Sequence, residues 1–234
     1  DKSLTSDLDP ILKLQGIPWL LRKTILFTPL TIEITHTITT STPKTPDTNP
    51  TQTIHFSAQS HTALKTAAAN PPSDIRHFDG RFYTQRNFLF GRIECRNRYI
   101  VGSVSGEGCA AKGNGVGVRP NVELQSTGLS EGDAGIAIRF LRGQVEVDGV
   151  TPSPGFLVEG PVVLDVRLFE HGEGEGQGLW VHVFDRREGG GWSSEQIWGF
   201  EMIGGVRLYT RRAVVTDGKG VFKLARLVYR LVES

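Results

Sequence analysis

Gln196-Ile197-Trp198-Gly199-Phe200, then residues 206–216, then residues 221–232 joined to them by Asp217-Gly218, is the stretch that decides the fold. Apolar and polar residues alternate along both runs with the period of two that belongs to a strand. Asp-Gly between two such runs is a preferred hairpin turn, and Gly204-Gly205 supplies the turn before it. The chain therefore ends in consecutive antiparallel strands, closing on Leu227-Val228-Tyr229.

The same pattern runs backward through the chain. Strand patterns occur at 136–142, 144–147, 156–158, 162–169 and 179–184, with turn residues at Asp148-Gly149, at 172–178 and at Gly189-Gly190-Gly191. Earlier, Ile32, Ile34 and Ile38 share one face, opposed by Glu33, Thr35, Thr37 and Thr39. Ile54, Phe56 and Ala58 form the next apolar face, and Phe82, Thr84, Phe88 and Phe90 another. Arg92, Glu94, Arg96 and Arg98 then alternate with Ile93, Cys95, Asn97 and Tyr99. The polar tract 40–53 and the stretch Asn70-Pro71-Pro72-Ser73 read as loops, and the glycine-rich segment 102–135 as an insertion. About ten strands with hairpin links predict an all-β fold, an antiparallel up-and-down β-barrel in a single domain spanning 1–234.

The front of the chain is helical by its punctuation. Asp9 is placed to cap, Pro10 suits a first helical position, and Gly16 stops the helix. Pro18 starts a second short helix carrying Trp19, Leu20 and Arg22. Helices this short are not stable alone, so the pair is expected to lie as a lid on the barrel mouth.

Composition narrows the function. The chain has 234 residues, 38% hydrophobic and 22% charged, and a formal net charge of +1, which gives no electrostatic case for nucleic acid or an anionic membrane. No apolar stretch approaches the roughly 20 residues of a membrane span. The apolar run 17–30 is broken by Arg22-Lys23, which argues against a signal-peptide core and for a cytoplasmic protein, with an upstream targeting segment left open. Cys95 and Cys109 are too few for a disulfide framework or a zinc site; a reduced pair and one loop-closing disulfide both remain open. Gly113-Asn114-Gly115-Val116-Gly117 does not link a strand to a helix, so the dinucleotide reading fails its context. No phosphate-binding loop, nucleophile elbow or His-x-x-x-His occurs. No cofactor and no metal are expected, with haem on a single barrel histidine as a minor alternative.

A barrel cavity is mostly apolar with a few placed polar groups. His36, Arg86, Tyr99 and Arg212 each sit on an apolar strand face and are the candidate catalytic residues. Phe82, Phe88, Trp198, Arg226, Tyr229 and His182 are the candidate ligand contacts. Each has a packing alternative: a satisfied core histidine for His36, arginines that snorkel at a rim, and tryptophan as core. Trp180, His182 and Phe184 oppose Leu179, Val181 and Val183, and either set can face inward.

The segment Leu14-Gln15-Gly16-Ile17-Pro18-Trp19-Leu20-Leu21-Arg22-Lys23, with the closing Ala225-Arg226-Leu227-Val228-Tyr229, resembles the calycin superfamily, in particular the fatty-acid-binding-protein-like barrels. It is also similar to fungal lipocalin-like proteins with an Ile-Pro-Trp-Leu-Leu-Arg-Lys start and a Gln-Ile-Trp-Gly-Phe plus Tyr-Thr-Arg-Arg ending. The resemblance implies a container for a small hydrophobic molecule (a polyketide, terpenoid or lipid). It implies either a cofactor-free cyclase, isomerase or dehydratase of natural-product biosynthesis, or a non-catalytic carrier. The fatty-acid binders grip a carboxylate with Arg-x-Tyr; here Arg226 and Tyr229 are three apart and face opposite sides of a regular strand.

Overall fold

The computed structural model describes residues 1–28, 30–39, 51–60, 73–104, 117–159 and 177–232. Two short helices, α1 (Asp9–Leu14) and α2 (Trp19–Phe27), precede β1 (Leu30–Thr39), β2 (Thr51–Ser60), β3 (Ser73–His77), β4 (Tyr83–Asn87) and β5 (Gly91–Val104). There follow β6 (Val118–Pro120), α3 (Glu131–Leu141), β7 (Gln177–Arg187), β8 (Ser193–Ile203), β9 (Val206–Thr216) and β10 (Phe222–Tyr229). The fold is mostly β and antiparallel. A seven-stranded sheet runs β10-β9-β8-β7-β5-β4 with β6 on β5, and β1-β2-β3 form a smaller sheet. The strand signals at 162–169 lie outside the described residues.

The closed barrel expected from the hairpin pattern is corrected at this point: among the described residues the ladder does not close. The outer edge of β10 is occupied by the first residues of the chain. Ser6 donates its amide to the Arg226 carbonyl at 3.0 Å, and Val228 donates its amide to Thr5 Oγ1 at 3.0 Å. The Asp1 ammonium reaches the Val228 carbonyl at 2.5 Å. An irregular segment thus satisfies backbone groups that a closing strand would otherwise take, and it blunts an exposed edge.

Register fixes which side chains share a face. Tyr99 pairs with Val181, Val181 with Trp198, Trp198 with Arg211, and Arg211 with Leu227, so these five line one inner row. On the opposite face His182, Ile197, Arg212 and Arg226 form the matching row. Both faces are covered. The small sheet and the helix pair cover the inner one: Ile32 and Phe78 pack on Val183 and Trp198, and Ile11, Leu12 and Ile17 pack on Val215 and Ala225.

The other face is covered by residues 117–159, which corrects the expected strands at 136–142 and 144–147. Residues 131–141 are helix α3, whose N-cap Ser130 accepts the Asp133 amide. Phe140, Leu141 and Ala137 pack with Ile100, Trp180, Ile197 and Val214. A sheet buried on both sides explains why neither set of alternating residues in β7 could be assigned to the core from sequence.

Candidate ligand cavity

At one end of the inner face lies a cavity of about 220 Å³. Its walls come from Ile34 on β1, Tyr99 on β5, Leu179 to Val181 on β7, Trp198 to Phe200 on β8 and Tyr209 on β9, with Leu157 and Glu159 from the covering segment. The volume is about seven waters at roughly 30 Å³ each, below the roughly 300 Å³ of a drug-sized pocket. It fits a molecule of one or two rings.

Two glycines make the wall possible. A Cβ on Gly199 would lie 2.7 Å from Trp180 and 2.9 Å from Phe156, and one on Gly102 would lie 2.7 Å from Trp180. Only bare backbone lets the Trp180 indole lie this close to β5 and β8.

Tyr99 is the polar group of this cavity that the described residues leave without a hydrogen bond. Among the described residues its hydroxyl makes no hydrogen bond, and burial pushes its pKa up to about 12. It therefore stays a protonated donor across the physiological range. Below it Phe78 stacks on the Tyr99 ring at 5.1 Å and holds its orientation. At the mouth Arg207 forks onto Glu159 at 2.6 and 2.7 Å and lies 3.5 Å over the Phe200 ring. Behind the wall the Arg211 guanidinium sits 4.1 Å over Trp198, within 5.4 Å of Tyr209 and 5.3 Å of Tyr229, and donates to the Tyr209 hydroxyl at 3.2 Å.

The remaining predicted residues divide between this cavity and other parts of the fold. Trp198 lines the cavity, and Tyr229 is on the same face beside Arg211 and Tyr209. Arg212, fully buried on the opposite face, spends all its donors on structure: Glu201 in a fork at 2.7 and 3.0 Å, the Val145 and Phe140 carbonyls at 2.6 and 3.4 Å, and Ser153 Oγ at 2.7 Å. Arg226, also on that face, pairs with Glu146 at 2.8 Å and Glu201 at 3.4 Å. His182 is buried there too. Its Nδ1 accepts from Arg98 at 3.4 Å, which leaves Nε2 to donate to Glu195 at 2.8 Å. Glu195 also accepts the Gln125 and Ser126 amides, both at 2.9 Å. Arg86, Phe82 and Phe88 are exposed, Phe82 lying between Arg96 and Arg186. The His36 side chain and Cys109 lie outside what is described; Cys95 is a buried free thiol.

Sequence reasoning missed the polar layer beneath the cavity. Arg76 on β3 reaches across to Asp185 at 2.7 Å and Asn97 at 3.2 Å, and Asp74 stands 2.9 Å away. Burial opposes the Arg76 charge, but Asp185 and Asp74 more than offset it and its pKa stands above the ordinary value. Burial likewise pushes the neighbouring Tyr83 and Cys95 upward. The only sequence clue was Asn97 on the apolar face of β5.

The helix pair does not cover this cavity. It packs on Val215 and Ala225, whereas the cavity is at Tyr209, six residues back along β9 and roughly 20 Å away at strand rise. Comparison of the chain with protein-family models, with curated proteins and with solved structures finds no match.

Proposed function

We propose that the protein binds a small hydrophobic molecule in the Tyr99 cavity, as a lipocalin-like container that holds its ligand without converting it. The carrying observation is the combination at one place of aromatic and aliphatic walls with a protonated phenol that no protein group engages among the described residues. Such a donor costs free energy in an apolar wall unless water or a ligand acceptor meets it, and an apolar ligand that fills the cavity must bring that acceptor itself. The ligand class is a one- or two-ring molecule bearing a carbonyl or ether oxygen, with any longer chain leaving past Glu159 and Arg207. The resemblance to calycins and fungal lipocalin-like proteins supports a container for such a molecule and is common to the holding and the converting readings.

Conversion by a cofactor-free cyclase, isomerase or dehydratase is the second reading, and it rests on Tyr99. The contacts favour holding. A phenol with a pKa near 12 is far from the value that suits proton transfer at neutral pH. Of the other catalytic candidates, Arg212 is spent on Glu201 and the covering segment and Arg86 is exposed at the far hairpin, while the His36 side chain lies outside the described residues.

Calorimetric titration with 1-acetonaphthone and with naphthalene tests the proposal. Wild type should bind both, the ketone more tightly. Tyr99→Phe should weaken the ketone about tenfold, the loss of one hydrogen bond, and leave naphthalene unchanged. Equal binding of the ketone by both proteins would overturn the role of Tyr99, and no binding of either compound would overturn the cavity.

A further inference from the structure

The end of the molecule away from the cavity presents apolar side chains to solvent. Trp19 is 63% exposed, Leu20 71% and Phe27 80%. In α2 they occupy positions i, i+1 and i+8, with Lys23 and Thr24 between them, so they form one outward stripe. The opposite side of α2 is already used: Leu21 and Ile25 pack on the Ile11, Leu12, Ile17 cluster.

The β4–β5 hairpin belongs to the same end. Leu89 and Phe90 pack against that cluster, while Phe88 at the tip is 71% exposed. Arg86 and Arg92 face each other directly across the hairpin, next to the Asn87–Gly91 pair that closes it. Like charges at paired positions repel. Arg92 is partly neutralised by Glu188 at 2.8 Å; Arg86 has no ion pair among the described residues.

We propose that this end docks on the surface of an anionic lipid bilayer, with Trp19, Leu20, Phe27 and Phe88 entering the headgroup boundary and Lys23, Arg86 and Arg92 meeting lipid phosphates and carboxylates. Two arguments select this occupant. The first is charge. Lys2, Lys13, Arg22, Lys23, Arg86 and Arg92 stand against Asp7, Asp9 and Glu188, with Asp9 shared by Arg22 at 3.1 Å and Lys23 at 3.4 Å and Glu188 on Arg92, so cations outnumber acids two to one. A whole-chain charge of +1 conceals this local surplus. The second is area. Three aromatic rings and a leucine at these exposures offer roughly 600 Å², below the roughly 800 Å² per partner of a stable protein complex. It is ample for an interfacial helix, which is held by modest apolar burial plus attraction to anionic lipid. Among the described residues no helix is long and apolar enough to cross a membrane, so this contact is with the surface.

Flotation of the full chain with vesicles of phosphatidylcholine and phosphatidylserine (7:3) or of phosphatidylcholine alone tests the proposal. Wild type should float with the mixed vesicles and partition at least tenfold less onto neutral ones. W19A/L20A/F27A should lose binding more than tenfold on mixed vesicles, and R86E/R92E should lose the preference for phosphatidylserine. Both variants should keep the wild-type melting temperature and ketone affinity, because the altered side chains are exposed and lie away from the cavity. Failure of wild type to float overturns the proposal, as does unchanged flotation of the triple variant. Concentration-dependent dimerisation that W19A/L20A/F27A abolishes, without vesicle binding, assigns the surface to a second copy instead and equally overturns it.

Discussion

Tyr99 illustrates how one side chain's surroundings set its role. It stands at the end of the inner row, with Val181 between it and Trp198, stacked on Phe78, with only burial acting on its ionisation. A tyrosine pKa raised from 10 to about 12 by folding contributes stability that is intact below pH 10 and lost as pH rises through 12. Wild type should therefore lose on the order of 2 kcal/mol relative to Tyr99→Phe across that window, at about 1.4 kcal/mol per unit, and nothing below it. Denaturant melts of the two proteins at pH 8, 10 and 11.5 read this directly. Ketone affinity should stay flat up to pH 10 and fall as the phenol ionises.

The covering segment 117–159 is held to the outer face of the sheet by charged residues. Arg212 and Glu201 fix the 140–153 stretch, Arg119 donates to the Gly143 and Pro154 carbonyls at 3.0 and 2.8 Å, and Glu195 accepts the amides of Gln125 and Ser126. Arg212→Met leaves Glu201 buried without its main partner, with Thr210 Oγ1 at 3.0 Å and Arg226 at 3.4 Å, and should cost about 3–5 kcal/mol in chemical denaturation. Glu195→Gln keeps one acceptor oxygen where two served, and should raise hydrogen exchange at the Gln125 and Ser126 amides several-fold while β9 and β10 stay protected. Glu195 and the two amides it accepts lie away from the cavity walls, so Glu195→Gln should leave ketone affinity per folded molecule unchanged, whereas Arg212→Met loosens the segment that supplies Leu157 and Glu159 and should weaken it.

These clamps also explain what could be read in the sequence. The hairpins from β7 to β10 announce themselves, because alternation and Asp-Gly or Gly-Gly turns are local properties. Helix α3 did not: Gly132 and Gly135 weaken its propensity, and its apolar residues alternate enough to imitate a strand. The informative clue was Ser130 followed three residues later by Asp133, a capping arrangement. The strand period puts Arg212 on an apolar face and His182 on a mixed face that can look either way. Whether such a face meets a cavity or a covering segment is settled by tertiary packing, which no strand period encodes. Tyr99 and Trp198 stood on a face that does meet a cavity.

As a whole, the molecule has two unlike ends separated by the Arg76–Asp185 layer. Toward one end lie the aromatic cavity and its Glu159–Arg207 mouth; toward the other, the helix pair with its exposed apolar stripe. Arg76 ties β3 to β7, so Arg76→Met should leave Asp185 buried without its closest partner and loosen the small sheet, cutting both stability and ketone affinity. The central claim is that the cavity is a ligand site. The most direct test fills it. Val181 lines the cavity in register with Tyr99 and Trp198, and Val181→Phe adds a ring there without removing any polar contact. Calorimetry of this variant with 1-acetonaphthone should show binding weakened more than about 30-fold while the melting temperature is unchanged or raised, as cavity filling predicts. A variant that binds the ketone as wild type does would contradict the account.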